Sequence, residues 1–387
     1  TILLAAGLAL PALAQDIAKP AVPAAAAPAQ LSESRLDVVF VLDTTGSMGG
    51  LIDGAKRKIW AIANQMATAK PAPRIRIGLV AYRDRGDAYI TRLTPLTDDL
   101  DAVYSDLMKF SADGGGDGPE SVNQALNEAV TKFEWSKESK TLRLIYLVGD
   151  APPHMDYDQD IKYIESCKAA ATAGITINTI QCGNESDTTP IWQEIARKAE
   201  GEFFQIEQNG GMAAVATPFD EELGRLGARL ESTVVAYGSV REQAAQNEKM
   251  GLADALTIAP SAKPEATADR AVYKASAAGG AALCGSNDLV QACQTKTVEL
   301  DKLKTEELNK EMQAMTPEQR KAFIEQKIKD RTECQSQINN LNEKRQAFIK
   351  QKLAESGSSK DSFDTLVLES LKRQGAKCGL TYATDKK

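Results

Sequence analysis

The residues best suited to chemistry are three oxygen-bearing side chains in the segment DTTGS at 43–47. This segment directly follows a short apolar run that is typical of a buried strand. Because alternate side chains of a strand point the same way, a loop that continues this spacing aims Asp43, Thr45 and Ser47 at one point. Hydroxyl and carboxylate oxygens are the ligands that Mg²⁺ and Mn²⁺ prefer. The spacing therefore predicts a divalent-cation site.

Two further segments carry carboxylates that could complete this site. The loop DGGGDGPE at 113–120 has glycines that permit close backbone approach, and Pro119 fits the first turn of a following helix. Its candidate ligands are Asp117 and Glu120; either could reach the ion, with Asp117 slightly favoured. The alternative is a glycine-rich loop whose aspartate caps the next helix. The last candidate, Asp150, ends a buried apolar run where packing gives no reason for a carboxylate.

The elements that position these residues alternate between strand and helix. Strands are predicted at 36–43, 74–82, 141–150, 175–181 and, more weakly, 202–206, with an antiparallel edge strand at 88–97. Helical patterns lie at about 51–69, 98–110, 119–133, 158–173, 188–199 and 212–234. The alternation predicts an α/β fold with a doubly wound, mostly parallel sheet. In such a sheet the crevice for ligands forms at the carboxyl ends of the strands, where the three segments lie.

The DxTxS pattern at 43–47 resembles the metal-ion-dependent adhesion site of von Willebrand factor type A domains. The alternating pattern over 35–234 is similar to the fold of these domains. The resemblance implies that Thr45 and Ser47 bind the ion directly, that Asp43 and Asp150 assist directly or through water, and that an acidic group of a ligand completes the shell. The loop at 113–120 resembles that of integrin β subunits and of the A domains attached to α-kinases. The segment IGLVAYRDRGD at 77–87 is similar to the α-kinase-associated branch alone.

Some features of these relatives do not carry over. The chain has no nucleotide-binding glycine-rich loop paired with a strand lysine, so no kinase activity is expected. The tripeptide RGD at 85–87 is assigned no function, because three residues match by chance often.

The regions around this domain have different compositions. Residues 1–14 are interpreted as part of a signal peptide with a cleavage site after Ala14, and residues 15–34 as an Ala/Pro-rich linker. The A-like domain is assigned to 35–234, an Ala-rich linker with some helix to 235–283 and a helical, disulfide-bonded region to 284–387. We predict no membrane span in the mature chain and a periplasmic or secreted location.

The helical region is predicted to contain a hairpin. The segment TPEQ at 316–319 is a strong helix start, with Thr316 as the N-cap and Gln319 bonding back to it. Apolar residues from Leu289 to Met312 predict a preceding helix, with a turn near residue 315, and a third helix is expected over about 362–374. The alternative is an extended coiled coil that dimerises the protein.

Six cysteines allow fifteen disulfide pairings, and the geometry of the predicted hairpin favours only a few of these pairings. Cys293 and Cys334 lie nearly the same number of residues before and after the predicted turn, so a disulfide between them is predicted. Cys284 and Cys378 would then form a second disulfide that joins the ends of the region. Cys167 and Cys182 are predicted to be buried thiols because the estimated gap between them is large, with a disulfide between them as the alternative.

The composition limits the possible functions. The formal net charge of −7 gives no basic surface for nucleic acid. His154 is the only histidine; it could line the rim of the site but is expected to be an ordinary loop residue. We interpret the chain as a binding or adhesion protein, not an enzyme, whose ion captures an acidic side chain of a protein partner. The C-terminal helices could bind a second partner. The alternatives are a structural envelope protein that acts through these helices and a metal-dependent hydrolase.

Overall fold

The computed structural model describes residues 34–116, 118–212, 214–259, 262–356 and 362–382, and its centre is a six-stranded sheet. Each strand falls on one of the six segments predicted from the sequence. In chain order the strands are β1 (Arg35–Asp43), β2 (Arg74–Tyr82), β3 (Thr91–Thr97), β4 (Thr141–Gly149), β5 (Thr176–Cys182) and β6 (Phe203–Ile206). The predicted signal peptide and nearly all of the linker that follows it lie outside the described residues.

The order of the strands across the sheet is β3-β2-β1-β4-β5-β6. All neighbouring strands are parallel except β2 and β3, which are antiparallel as predicted for the edge strand. From β1 the chain first builds the sheet outward through β2 and β3, and then returns to add β4 on the other side of β1. The direction of winding therefore changes between β1 and β4, which is where a doubly wound sheet opens a crevice at its carboxyl edge.

Helices surround the sheet and continue beyond it. Within the described residues they are α1 (Gly49–Ala67), α2 (Leu100–Met108), α3 (Val122–Thr131), α4 (Tyr163–Thr172), α5 (Thr188–Lys198), α6 (Asp220–Glu231), α7 (Val240–Ile258), α8 (Pro264–Ala275), α9 (Ala277–Cys284), α10 (Leu289–Gln294), α11 (Lys310–Gln313), α12 (Pro317–Ser356) and α13 (Phe363–Gly375). Of these, α1 to α6 fall on the six helices predicted between and after the strands.

Two apolar layers enclose the sheet, because its central strands are buried on both faces. On one face α3, α4 and α5 pack against Val39, Val41 and Ile145. On the other face α1 and α2 pack against Phe40 and Tyr146, together with residues of α8 and α13. The predicted α/β fold with a doubly wound, mostly parallel sheet is confirmed, and a C-terminal helical region accompanies it.

The third predicted helix, α13, packs on the sheet instead of on the helical region. The ring of Phe363 lies 6.0 Å from that of Phe40, and the Tyr146 hydroxyl is 2.7 Å from Ser370 Oγ. The backbone N–H of Phe363 donates to the carbonyl of Gly210, in the loop after β6, at 3.1 Å. The α/β unit is therefore closed by residues far beyond 234, and the boundary drawn from the sequence at that residue is wrong.

Residues 235–283, predicted to be an Ala-rich linker with some helix, are mostly helical and pack on the domain, so only the helical part of that prediction is correct. Arg270 and Lys274 of α8 form buried ion pairs with Asp101 of α2 and Glu231 of α6, at N to O distances of 2.6 to 2.9 Å. Burial alone would raise the pKa of Asp101, but the charges of Lys274 and Arg270 lower it to about 2. The small side chains allow close helix packing, because a Cβ at Gly227 would lie only 2.7 Å from Cβ of Ala271.

The long helix α12 begins as predicted but does not form a hairpin with a preceding long helix. Thr316 N donates to Gln319 Oε1 at 2.9 Å and Gln319 N donates to Thr316 Oγ1 at 3.3 Å, which confirms the capping box. Before it, the segment from Leu289 to Met312 is broken into short helices and turns, and Lys296 has a φ of 57°. Instead α12 packs within the chain on α6 and α8, where Arg345 binds Asp220 and Asp269 at 2.7 and 2.6 Å. These contacts do not support the alternative of an extended coiled coil.

All six cysteines are free thiols, so neither predicted disulfide is formed. Cys293 packs with the cluster around α10, whereas Cys334 of α12 packs against residues of α6 and α8. Cys284 lies beside Arg331, whose Nη1 is 3.4 Å from its sulfur, and Cys378 packs under α13. The pairing depended on a helical hairpin, and without that hairpin its geometrical basis is lost.

Cys167 and Cys182 are both buried and free, as expected. They belong to the apolar layers on opposite faces of the sheet, so the sheet itself separates them. The described helices include none whose length and apolar character would let it span a bilayer.

Candidate metal centre

The first loop of the candidate site follows β1 and is held by its own aspartate. The Oδ1 atom of Asp43 accepts hydrogen bonds from the N–H of Thr45 at 2.8 Å and from its Oγ1 at 2.7 Å. Asp43 and Thr45 are buried, whereas Ser47 is exposed in the short turn at Gly46–Met48. Thr44 points away and bonds the carbonyl of Tyr82 at the end of β2. This turn places the hydroxyls of Thr45 and Ser47 at the carboxyl edge of the sheet.

The second loop folds onto the first one. Gly46 N donates to the carbonyl of Gly114 at 3.2 Å, and Gly114 and Gly115 have φ angles of 76° and 77° that favour glycine. A Cβ at Gly115 would lie 3.0 Å from Oε1 of Glu120 and 3.1 Å from Cβ of Thr45. Glycine at this position therefore lets Glu120 and Thr45 approach each other. Asp117, the other candidate of this loop, lies outside the described residues.

The third loop begins at Asp150, directly after β4. A Cβ at Gly149 would lie 3.0 Å from Oδ2 of Asp43, so the end of β4 is next to the first loop. The Oδ2 atom of Asp150 accepts a hydrogen bond from Nε2 of Gln208 at 2.7 Å. Gln208, in the loop after β6, also lies 3.4 Å from the carbonyl of Ser47. This glutamine therefore connects two loops of the site.

Together the loops form an open cleft of about 490 Å³ over the point where the winding changes direction. Of the predicted residues, Thr45, Ser47, Glu120 and Asp150 line the cleft, and Asp43 lies buried beside them. Within the described residues, no three His, Cys, Asp or Glu side chains are arranged to hold a metal by themselves. A ligand set drawn from the described residues would therefore include the hydroxyl oxygens of Thr45 and Ser47.

The buried carboxyl groups of the cleft have strongly raised pKa values. Burial is the main cause for Asp43, whose pKa rises to about 7 against the opposing hydrogen bonds from Thr45, with a further contribution from the charge of Asp150. Burial also raises the pKa of Glu120 to about 9, and the charges of Asp43 and other nearby carboxylates add to this effect. Asp43 Oδ2 and Glu120 Oε2 are buried without a hydrogen-bond partner.

The two unpartnered oxygens show whether the residues of the cleft suit a divalent cation. A buried carboxylate oxygen without a donor is costly, and a bound cation is one way to satisfy it. The donors are oxygen atoms of carboxylates and hydroxyls, which is the set that Mg²⁺ and Mn²⁺ accept. The residues of the cleft therefore fit such an ion.

Sequence reasoning missed the acidic residues that support the second loop. Asp87 Oδ2 accepts from Gly115 N at 3.1 Å and from Asp84 N at 3.2 Å, so it holds the glycine-rich loop in place. Arg85 pairs with Asp160 at 2.5 Å. Arg85 and Asp87 of the RGD tripeptide at 85–87 thus form contacts within the domain. The sequence signal for their supporting role was the cluster of charged residues directly after β2.

His154 belongs to the scaffold below the cleft instead of its rim. It is buried and stacks on Tyr157, with ring centroids 4.0 Å apart. Its Nδ1 lies 2.8 Å from Asp156 and its Nε2 lies 3.4 Å from Asp84. Asp84 also accepts from Ser121 Oγ at 3.0 Å. The histidine therefore helps to fix the third loop to the segment after β2.

The fold and the cleft define a doubly wound α/β domain with a candidate ligand site at the switch point of its sheet. Residues 37–211 match the von Willebrand factor A domain family. These residues therefore form a von Willebrand factor A domain, and the resemblance noted from the sequence is confirmed. The matched residues end before α6, close to the point where the chain leaves the α/β layers.

Curated relatives share part of this chain. A putative ariadne-like RING finger protein of Acanthamoeba polyphaga mimivirus is 23% identical over 192 residues, which are 46% of this chain and 19% of that protein. The von Willebrand factor A domain-containing protein 7 of Mus musculus is 35% identical over 114 residues, which are 30% of this chain and 12% of that protein. The chain thus spans about a fifth or less of the length of these relatives.

Solved structures are also similar to part of the chain. The SpRpn10 VWA domain is 15% identical with a TM-score of 0.35, covering 47% of this chain and 100% of that one. Proximal thread matrix protein 1 from the mussel byssus, with a zinc-occupied MIDAS motif, is 16% identical with a TM-score of 0.35, covering 46% of this chain and 42% of that one.

Proposed function

We propose that this protein is a metal-ion-dependent binding or adhesion module that captures an acidic group of a partner protein through a divalent cation in the cleft. The observation that carries the proposal is the pair of buried carboxylate oxygens, Asp43 Oδ2 and Glu120 Oε2, that have no hydrogen-bond partner beside an open cleft. A fold retains such costly groups when they serve a ligand.

Five of the described residues would hold the ion. These are the hydroxyls of Thr45 and Ser47 and the carboxylates of Asp43, Glu120 and Asp150; Asp117 remains a sixth candidate. A divalent cation, Mg²⁺ or Mn²⁺, supplies a Lewis-acidic position for an oxygen of the partner. Asp43 fixes the Thr45 hydroxyl through its Oδ1 atom, and Gln208 orients Asp150.

The proposal is for binding and not for catalysis. His154, the single histidine of the sequence, is committed to the buried scaffold with Asp84 and Asp156. It therefore does not line the cleft as a general base. A metal-dependent hydrolase would need Glu120 or Asp117 as its general base.

We propose further that the protein is exported by a cleaved signal peptide and acts in a periplasm or outside the cell. This proposal is based on the apolar start of the sequence and the Ala-x-Ala pattern before Gln15. A second partner could bind the helical region, where α7 exposes Val240 and Ile258. N-terminal sequencing of the protein from a fractionated native source tests the export: a start at Gln15 supports it, whereas a retained residue before Ala14 in the cell interior contradicts it.

Isothermal titration calorimetry of the full chain with Mg²⁺, Mn²⁺ and Ca²⁺ tests the metal site. We expect one saturable site in the wild-type protein and its loss in Asp43→Asn, because the amide keeps the shape of the side chain but not its charge. Thr45→Val should also weaken binding, since it removes a hydroxyl ligand and leaves the charges unchanged.

The matched control is Asp53→Asn, which makes the same chemical change at an exposed position of α1. Circular dichroism spectra of all variants should show the same helix content. Equal metal binding by the wild-type protein and Asp43→Asn, or no binding by the wild-type protein, would contradict the proposal.

A further inference from the structure

The rim of the cleft carries more negative charge than one divalent ion neutralises. Besides Glu120 and Asp150, the lining of the cleft includes Glu185 and Asp187 from the loop after β5, and none of its described lining residues is a lysine or arginine. Glu185 and Asp187 are exposed, and neither forms an ion pair within the described part of the chain. An isolated acidic ligand would therefore approach the ion past two uncompensated carboxylates, which disfavours it.

The loop after β4 and the first turn of α4 carry three exposed large apolar side chains. Six large apolar side chains are exposed among the described residues, and three of them lie within ten positions: Met155 at 45%, Ile161 at 51% and Ile164 at 40%. The others are far along the chain at positions 93, 240 and 258. Clustered exposure of this kind marks interaction sites, whereas scattered apolar residues are ordinary. We call Met155, Ile161 and Ile164 the apolar patch.

The segment that carries the apolar patch is anchored at both ends, and its first residue follows a backbone contact to Glu120. Asn123 donates to the carbonyl of His154 at 2.6 Å and accepts from the N–H of Tyr163 at 2.7 Å, so it joins both ends of the loop that carries the patch. The N–H of His154, one residue before Met155, donates to the carbonyl of Glu120 at 3.1 Å. The patch is therefore preorganised next to a residue that lines the cleft.

We propose that the partner of the cleft is a protein segment with three features: an acidic residue for the ion, lysine or arginine beside it to face Glu185 and Asp187, and a large apolar side chain on the apolar patch. This inference rests on the proposed function and adds to it the composition of the ligand. The rim supplies charge complementarity for the basic residues, and the patch supplies the area that a single carboxylate contact lacks.

An anionic membrane surface fits these features less well than a protein segment. Asp156 and Asp158 are exposed at the patch itself, between Met155 and Ile161. Together with Glu185 and Asp187 they would repel anionic lipid headgroups. A protein segment can place its basic and apolar side chains separately, so it matches both the charge and the patch.

A random peptide library displayed on phage tests the composition of the ligand. The full chain is immobilised with Mg²⁺, and bound phage are released with chelator, so that only metal-dependent binders are sequenced. We expect enrichment of peptides with an Asp or Glu, a Lys or Arg within a few residues of it, and a Leu, Ile, Phe or Trp. Enrichment of acidic peptides without basic and apolar neighbours overturns the inference.

Substitutions in the protein test which part of its surface binds each feature of the peptides. For a selected peptide, the double change Glu185→Gln and Asp187→Asn should weaken binding by about tenfold at low salt and by less at high salt, because the attraction is screened. Glu248→Gln, at an exposed position of α7, is the matched control. Unchanged affinity in the double variant, or equal loss in the control, contradicts the role of the rim.

The apolar patch has its own pair of variants. Ile161→Ser should weaken peptide binding by about tenfold, since it removes one buried apolar contact. Val240→Ser changes a side chain that is 81% exposed on α7 and should have no effect. Wild-type binding to vesicles of anionic lipid without metal, lost in Ile161→Ser, would instead assign the patch to a membrane and overturn the inference.

Calorimetry with Mg²⁺ on the same preparation separates the two proposals. If the ion does not bind, the proposed function itself fails. If the ion binds and chelator releases no enriched peptide, or releases peptides of another composition, the metal site stands and only the inference about the partner is wrong.

Discussion

Replacing Asp43 by Asn should make the metal-free protein more stable, although the change removes a side chain of the proposed site. Burial, together with a smaller effect of the charge of Asp150, raises the pKa of Asp43 from 3.8 to about 7. The hydrogen bonds from Thr45 offset only part of this rise. The ionised carboxylate is therefore less stable in the folded state than in the unfolded chain, whereas an amide carries no such penalty.

The size of the effect follows from the pKa. The rise from 3.8 to about 7 corresponds to roughly 4 kcal/mol at most, at about 1.4 kcal/mol for each pKa unit. Well below the unfolded-state pKa of 3.8 the carboxyl is protonated in both states, so it costs no stability there. As the pH rises from about 4 to about 7, the unfolded state releases its proton first and the wild-type fold loses stability. We expect Asp43→Asn to be more stable than the wild type by about 2 to 4 kcal/mol at pH 8.

Urea unfolding, followed by circular dichroism at several pH values with chelator present, measures this difference. The gain should be large at pH 8, small at pH 4 and absent at still lower pH, while Asp53→Asn should match the wild type throughout. With Mg²⁺ at a hundredfold excess over its Kd, the wild type should gain about 2.7 kcal/mol and the variant should gain nothing. A variant that is less stable than the wild type at pH 8, or whose gain is independent of pH, would refute the reasoning.

Three further changes test the supporting structure. Asp101→Asn should lower the free energy of unfolding by about 3 to 5 kcal/mol, because it leaves buried Lys274 with a weaker partner; a loss below about 1 kcal/mol in urea unfolding would contradict the buried pair. Since the folded-state pKa of Asp101 is about 2, below its ordinary 3.8, the wild type should lose this contribution as the pH falls through that range, and the variant should not. Phe363→Ala should cost about 3 to 5 kcal/mol if α13 belongs to the core of the sheet, and near-wild-type stability in the same assay would exclude that role. Gln208→Ala should lower the affinity for Mg²⁺ about tenfold by releasing Asp150, and unchanged calorimetry would show that Gln208 does not orient this carboxylate.

The parts of the structure that could be predicted are those with local signals. The strands appear as short β-branched runs, and each candidate loop follows such a run directly. The glycines at 114 and 115 and the capping box at Thr316 also act over a few residues. Parallel strands bring their carboxyl ends to one edge, so these local signals were sufficient to place Thr45, Glu120 and Asp150 at one cleft.

The parts that could not be predicted depend on contacts between distant residues. No local pattern shows that Phe363 packs on Phe40, or that Arg270 finds its partner in Asp101. The alanine-rich composition of α8 suggested a linker. Alanine is common both in closely packed helices and in flexible segments, so composition alone does not distinguish the two. Gln208 was missed for a similar reason, since a single glutamine in a loop has no signature until its neighbour is known.

The closure of the sheet by α13 also sets the order in which the chain can fold during synthesis. The polypeptide leaves the α/β layers after β6 and returns at Phe363, which donates a hydrogen bond to the carbonyl of Gly210. Until the residues beyond 362 have emerged from the ribosome, the part of this face that α13 covers, next to Phe40 and Tyr146, lacks its last layer. A nascent chain of this protein therefore stays incompletely folded while some 150 intervening residues are translated, which at about 5 to 20 residues per second takes roughly 8 to 30 s. During that interval the uncovered apolar side chains are exposed to aggregation and accessible to chaperones.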